Sequence, residues 1–199
     1  MKLSPKRIMD CVVAVLALFV LAPLLGLIAA AVASSGPVIF RQGRVGLGGR
    51  LFQILKFRTF PSAGGLPTSL GRFLRGTSLD ELPQLWNVLR GEMSLVGPRP
   101  QLARHLPVDC PLRMRRHDCL PGITGLAQVR GRNLLSWSRR FDYDLEYVDR
   151  RSFWLDLLIL LRTVPVVLSQ VGASAAPGGH PASEPSTFGA LPDRLDEAA

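Results

Sequence analysis

The chain has 199 residues with 24 Lys and Arg against 15 Asp and Glu, a formal charge of +9. That length allows one cored domain plus appendages, and that charge calls for a polyanionic partner: nucleic acid, an anionic membrane surface or a phosphorylated substrate. A 47% hydrophobic content favours membrane and phosphate, with no nucleic-acid partner expected, while Cys11, Cys110 and Cys119 without a CxxC pair and three scattered histidines argue against a disulfide framework or a zinc site.

Residues 11–33, CVVAVLALFVLAPLLGLIAAAVA, carry no charge. They exceed the ~20 apolar residues a spanning helix needs and the ~7–15 of a signal-peptide core. Lys2, Lys6 and Arg7 precede the segment, and Arg41, Arg44 and Arg50 follow it. A crossing helix cannot put both basic flanks inside, whereas a hairpin bent at Pro23 can, because proline removes a helical donor. The bend would still need partners for its freed backbone inside lipid, and Ala22 offers no hydroxyl. On the residues alone, a spanning and a re-entrant helix stand level.

VIFRQ and RLFQILKF flank the glycine cluster GLGG, which predicts a β-hairpin rather than a dinucleotide fingerprint. Lys56 and Arg58 project from one face of its second strand, either as a solvated edge or as a phosphate rail. PSAGGLPTS reads as a loop before Arg72 and Arg75. Later, SWSRRFDYDLEYVDR reads as a helix capped by Ser136, with Trp137, Phe141, Leu145 and Val148 at helical spacing. SFWLDLLILLRTVPVVLSQV is apolar but interrupted by Asp156, Arg162 and Pro165. It is expected to be an interfacial helix with Phe153 and Trp154 at headgroup level. Arg115, Arg116, Arg139 and Arg140 read as membrane-surface charge. From Gly172 the Ala/Pro/Gly/Ser-rich sequence predicts a disordered tail.

The stretch SLDELPQLWNVLRGEMSLVGPRP, residues 78–100, holds the chemistry-bearing pair Asp80 and Glu81. Leu82, Leu85, Trp86 and Leu89 predict a helix with one buried face, ending near Gly91. Ser78-x-x-Glu81 fits a capping box, but that start puts Pro83 beyond the first turn, where its missing N–H breaks a helical bond. A start at about Asp80 suits Pro83 better and places Asp80 at or beside the N-cap. Acids there are ordinary caps, so capping and catalysis both remain open. Neighbouring helix residues do not face each other, so a catalytic pair would divide its roles rather than share a proton. Arg99, stiffened between Pro98 and Pro100, would lose little entropy on gripping a phosphate. Carboxylates, arginines and a membrane segment together suggest phosphoryl chemistry at a bilayer, with a divalent metal between acid and phosphate.

KRIMD, SSGPVIFRQGRVG, ILKFRT, SLDELPQLWNVLRGEMSLVGPRP, PGITGLAQVRGRN and SFWLD occur in order between about Pro5 and Ser169. Together they resemble the bacterial sugar transferases called monotopic phosphoglycosyl transferases, the DELPQ…MSLVGPRP block being highly specific. The resemblance implies transfer of a sugar 1-phosphate from a nucleotide diphosphate sugar, usually a UDP-sugar, to undecaprenyl phosphate with release of UMP. This is the first membrane step of a surface glycan. It further implies Asp80 as nucleophile through a phosphosugar-enzyme intermediate, Glu81 as its partner and Mg2+ bound beside Asp80. Lys56, Arg75 and Arg99 are implied as phosphate ligands and Asp156 as a supporting carboxylate, with Arg132 of the GRN motif a further substrate-site candidate. From the residues alone, Asp156 could equally pair with Arg162 or another arginine. In this family the membrane segment is a re-entrant helix broken at a proline, which favours the hairpin at Pro23.

Three departures bear on these expectations. The break is often Ser-Pro and here is Ala22-Pro23, so the bend would be supported differently. The loop between Thr59 and Leu70 is shorter than in many relatives, which affects donor contacts there, and Leu120 stands where many carry a basic residue. The expected architecture is α/β: a membrane re-entrant helix over 1–35, a catalytic domain with a small hairpin sheet and amphipathic helices over 36–171, and the tail over 172–199. The expected location is the bacterial inner membrane, on an anionic leaflet with the catalytic domain facing the cytoplasm. The rival reading is a non-catalytic, membrane-anchored basic scaffold or nucleic-acid binder, whose binding would fall steeply with salt.

Overall fold

The computed structural model describes residues 4–34, 36–61, 64–105 and 110–169. The expected tail and Lys2 lie outside the described residues. The chain runs α1 (Pro5–Ala33), β1 (Ile39–Val45), β2 (Leu51–Phe57), α2 (Ser69–Thr77), α3 (Gln84–Arg90), β3 (Ser94–Val96), α4 (Pro111–Met114), β4 (Gly122–Thr124), α5 (Leu126–Arg130), α6 (Trp137–Arg150) and α7 (Phe153–Ser169). Helices thus surround two small sheets, the mixed architecture the sequence predicts.

The hairpin forms as expected. β1 and β2 pair antiparallel from Ile39 with Phe57 to Val45 with Leu51, and Gly48 and Gly49 take positive φ in the turn. The second sheet is a short parallel pair, Ser94 with Gly122 and Val96 with Thr124. Its backbones are packed so closely that a Cβ on Gly97 would lie 2.3 Å from the Leu120 carbonyl oxygen, and one on Gly122 would lie 2.0 Å from the Gly97 nitrogen. This contact joins GPRP to PGITG, two motifs separated in sequence.

The helix start differs from the sequence reading. Leu79–Glu81 forms a 3-10 turn, and α3 begins only at Gln84 with Pro83 as its N-cap. Ser78 is left-handed (φ 59°) as the C-cap of α2, and its side chain makes no capping bond, so neither the capping box nor an Asp80 cap forms. Proline again explains the result: with no N–H it is tolerated just before the regular helix, and the tighter turn absorbs the preceding residues. Trp86 is also misplaced by periodicity. It is half exposed, with Arg90 over its ring, while Leu85, Asn87 and Val88 face the core. The helix does end at left-handed Gly91.

α1 is 29 residues long, about 43 Å at ~1.5 Å per residue, and the helix continues through Pro23. It is long and apolar enough to cross a membrane. One stripe packs on the domain: Ala14 joins the main core with Val88, Met93 and Tyr147, while Ile28 and Val32 join Phe57 and Leu74. The opposite stripe, including Leu16, Phe19, Val20 and Leu27, is exposed.

KRIMD anchors the start of this helix. Lys6 donates to Asp156 and to the Val96 carbonyl, Arg7 donates to the Leu89 and Met93 carbonyls, and Asp10 accepts from Ser94 Oγ and the Leu95 N–H. The charges read as topological signals are therefore also structural ties.

Candidate active site

Glu81 is the centre of the cluster. Lys56, on β2, donates to Glu81 Oε1 at 2.7 Å. Arg99, from the loop after β3, straddles the same carboxylate, with Nη2 at 2.6 Å from Oε1 and Nη1 at 3.2 Å from Oε2. Burial alone would raise the Glu81 carboxyl, but Arg99 and Lys56 overcome it and hold the group well below the usual carboxylate range. Burial also pulls the Lys56 ammonium down, with Glu81 opposing that shift.

Asp80 lies on the same turn and is treated in the opposite way. It is 7% exposed, and its carboxylate accepts no hydrogen bond among the described residues. Burial pushes its pKa up to about 6; Glu81 adds to the rise, while Lys56, Arg99 and Arg75 restrain it. Arg75 stands at the end of α2 with its guanidinium 5.2 Å from the centre of the Phe60 ring. One carboxylate is clamped and ionised, and its neighbour is left bare.

Arg132 joins from the far side. It follows α5 in a left-handed conformation (φ 51°) and donates to Ser78 Oγ at 2.6 Å. Asp156 sits apart from this cluster: it is buried on α7, where it accepts from Lys6 and, at 2.7 Å, from the Tyr147 hydroxyl. Its partner is thus a lysine of α1, and the Val96 carbonyl that both Lys6 and Tyr147 also contact leads directly into the Gly97–Pro100 loop. Arg58 turns away to the Pro37 carbonyl, so Lys56 and Arg58 do not form a rail.

A family profile described as bacterial sugar transferase matches residues 1–170. The chain belongs to that family. The transferase is 50% identical over 146 residues to the uncharacterized sugar transferase EpsL of Bacillus subtilis strain 168, across 68% of this chain and 72% of that protein. It is 45% identical over 186 residues to a UDP-glucose:undecaprenyl-phosphate glucose-1-phosphate transferase of Caulobacter vibrioides, across 82% and 70% respectively. An enzyme of the same name from Escherichia coli K12 is 42% identical over 181 residues; the match covers 80% of this chain but 39% of that longer protein.

Sequence reasoning missed the residues that support the site of the transferase. Arg116, read as surface charge, is 2% exposed and forms a buried ion pair with Asp144 of α6, with Nη2 2.6 Å from Oδ2. The same Nη2 donates to the Arg99 carbonyl at 2.7 Å, fixing the backbone from which Arg99 reaches Glu81. Helical spacing could have flagged Asp144, which lies three residues after Phe141 on the buried face of α6. Asn87 was also missed. Its Oδ1 accepts from the Leu55 N–H and its Nδ2 donates to the Gln53 carbonyl, binding α3 to the strand that carries Lys56.

Proposed function

We propose that this transferase moves a sugar 1-phosphate from a nucleotide diphosphate sugar, with a UDP-sugar as the expected donor, to undecaprenyl phosphate. The observation that carries the reading is the bare, buried Asp80 carboxylate beside a clamped Glu81. The relatives add support. The Caulobacter vibrioides protein is named for a glucose donor, and one from Aeromonas hydrophila, 37% identical, is named as a UDP-N-acetylgalactosamine-undecaprenyl-phosphate N-acetylgalactosaminephosphotransferase. Their names share the acceptor and the phosphoryl chemistry, and differ in the sugar.

In the first step an Asp80 oxygen attacks the phosphorus that bears the sugar. The bond from that phosphorus to the bridging oxygen breaks, and UMP leaves with the electron pair. In the second step a phosphate oxygen of undecaprenyl phosphate attacks the same phosphorus and displaces the Asp80 carboxylate, forming the polyprenyl diphosphate sugar. Dividing the displacement lets a water-soluble donor and a membrane-bound acceptor use one site in turn. Arg99 and Lys56 hold Glu81 ionised and remain within reach of phosphate oxygens, while Arg75 and Arg132 add positive charge around the position where charge develops.

Among the described residues no three His, Cys, Asp or Glu side chains form a metal cage. Mg2+ does not need one, because it is commonly held by one or two carboxylates, with substrate phosphates and water completing its shell. Asp80, whose carboxylate has no hydrogen-bond partner among the described residues, would hold the ion together with the phosphates of the donor. When bound, the ion supplies charge neutralisation between carboxylate and phosphate.

The membrane arrangement follows from α1. Residues near both of its ends pack on the same domain while its outer stripe is apolar and exposed, which supports a helix that stays at one face of the inner membrane rather than crossing it. In that arrangement the catalytic domain faces the cytoplasm. The test of the reaction is purified full-length protein with Mg2+, undecaprenyl phosphate and a panel of UDP-sugars, with UMP as the readout. Release of UMP with at least one sugar is expected; folded protein that releases none with any of them would refute the reading.

A further inference from the structure

Between the Leu79–Glu81 turn, α5 and α7 lies a cavity of about 250 Å3. Leu82, Leu85, Ile123, Val129, Val166 and Val167 supply most of its apolar wall, and Glu81, Arg99, Gln128 and Arg132 also line it. Three of its polar atoms are buried without a hydrogen-bond partner: Arg132 Nη1 and both Oε1 and Nε2 of Gln128. Buried polar atoms in native proteins are rarely left unbonded, so three on one cavity wall point to a ligand that completes them. Arg132 and Ser78, bonded to each other at this cavity, are also the two non-glycine residues with positive φ among the described residues. Strain of that kind gathers at ligand sites.

The helix α7 stands between this cavity and an apolar exterior. Thr163, Val166 and Val167 line the cavity, while Leu161, Val164 and Leu168 of the same helix are 59–77% exposed. A ligand with an anionic head and a long apolar tail matches both sides of that helix. On the scale at which a ~150 Å3 cavity holds one benzene ring, this one holds roughly ten carbons, about two isoprene units.

We propose that the cavity seats the first two isoprene units of a polyprenyl phosphate, with Arg132 Nη1 and Gln128 Nε2 donating to its phosphate beside Arg99. Gln128 also lines a smaller polar cavity with Gln101, Arg140 and Asp144, where its Oε1 can accept from a hydroxyl of the transferred sugar. The inference rests on the acceptor chemistry proposed above and assigns that acceptor a place.

The test is photolabelling of the full-length transferase in lipid nanodiscs. The probe is a polyprenyl phosphate with a diazirine on its second isoprene unit. Adducts are expected at Val129, Val166 or Val167, competed by undecaprenyl phosphate, at least tenfold less by undecaprenol, and not by inorganic phosphate. Adducts confined to Leu161, Val164 and Leu168, or equal competition by undecaprenol, would overturn the assignment. Val166→Trp should cut the competed labelling at least tenfold and Leu168→Trp should not; equal labelling in the two also overturns it. Because the readout is binding, labelled cavity residues without UMP release would leave the pocket standing and remove the reaction. UMP release with labelling only on the outer stripe would do the reverse.

Discussion

Asp80 and Glu81 are neighbours in sequence, but two cations ionise one of them and burial raises the other. For Asp80 the sign is clear. The folded-state pKa is raised to about 6, so the carboxylate that the proposed attack requires is depleted below that pH. In the metal-free protein the carboxyl resonance of Asp80 should titrate at about 6, and added Mg2+ should move that midpoint down. A resonance that stays flat between pH 5 and 8 would contradict this shift. The same shift means that ionising Asp80 costs the folded protein stability at neutral pH, a cost relieved as pH falls through about 6. Asp80→Asn is therefore expected to abolish turnover while raising the thermal midpoint at pH 8 by a few degrees. A lower midpoint in that variant would show that the Asp80 charge stabilises the apo fold. At this scale the sequence singled out Asp80, Glu81 and Arg99, and the structure brings Arg99 onto Glu81. Their contacts were not legible, because Glu81 is held by residues 25 positions before it and 18 after it.

The loop that presents Arg99 is positioned by elements distant in sequence. The Arg116–Asp144 pair from α6 holds its carbonyl, and the close backbone approach of Gly97 to Gly122 holds its start. Removing one partner of a buried pair leaves an uncompensated charge, whereas replacing both by apolar residues is often neutral for stability. The double variant Arg116→Met, Asp144→Leu should keep its thermal midpoint within a few degrees, yet raise the donor KM about tenfold because the Arg99 loop is freed. Wild-type kinetics in a folded double variant would remove the positioning role. Elements with a local signature were legible: the GLGG hairpin, the Ser136-capped α6 and the Gly91 stop all form as read. The start of α3 was not, because left-handed Ser78 ends α2 and spends its hydroxyl on Arg132, 54 residues away.

Across the whole molecule, the apolar stripes of α1 and α7 face outward while their inner stripes complete the core. Lys6, Arg7 and Asp10 fasten the start of α1, and Ile28 and Val32 fasten its end. Single cysteines replacing Lys2 and Arg50 should both react from the cytoplasmic side in cells; labelling from opposite sides would establish a crossing helix instead. The sequence showed a segment long and apolar enough to cross a membrane. Its seating on the domain was not legible, because the partners of KRIMD lie more than 80 residues downstream.

The most direct test of the central claim is to incubate the transferase with Mg2+ and a UDP-sugar labelled in the phosphate next to the sugar, without acceptor, and to map the labelled peptide. We expect label on Asp80, lost in Asp80→Asn and released when undecaprenyl phosphate is added. Label on another residue, or a variant that still acquires it, would contradict Asp80 as the nucleophile.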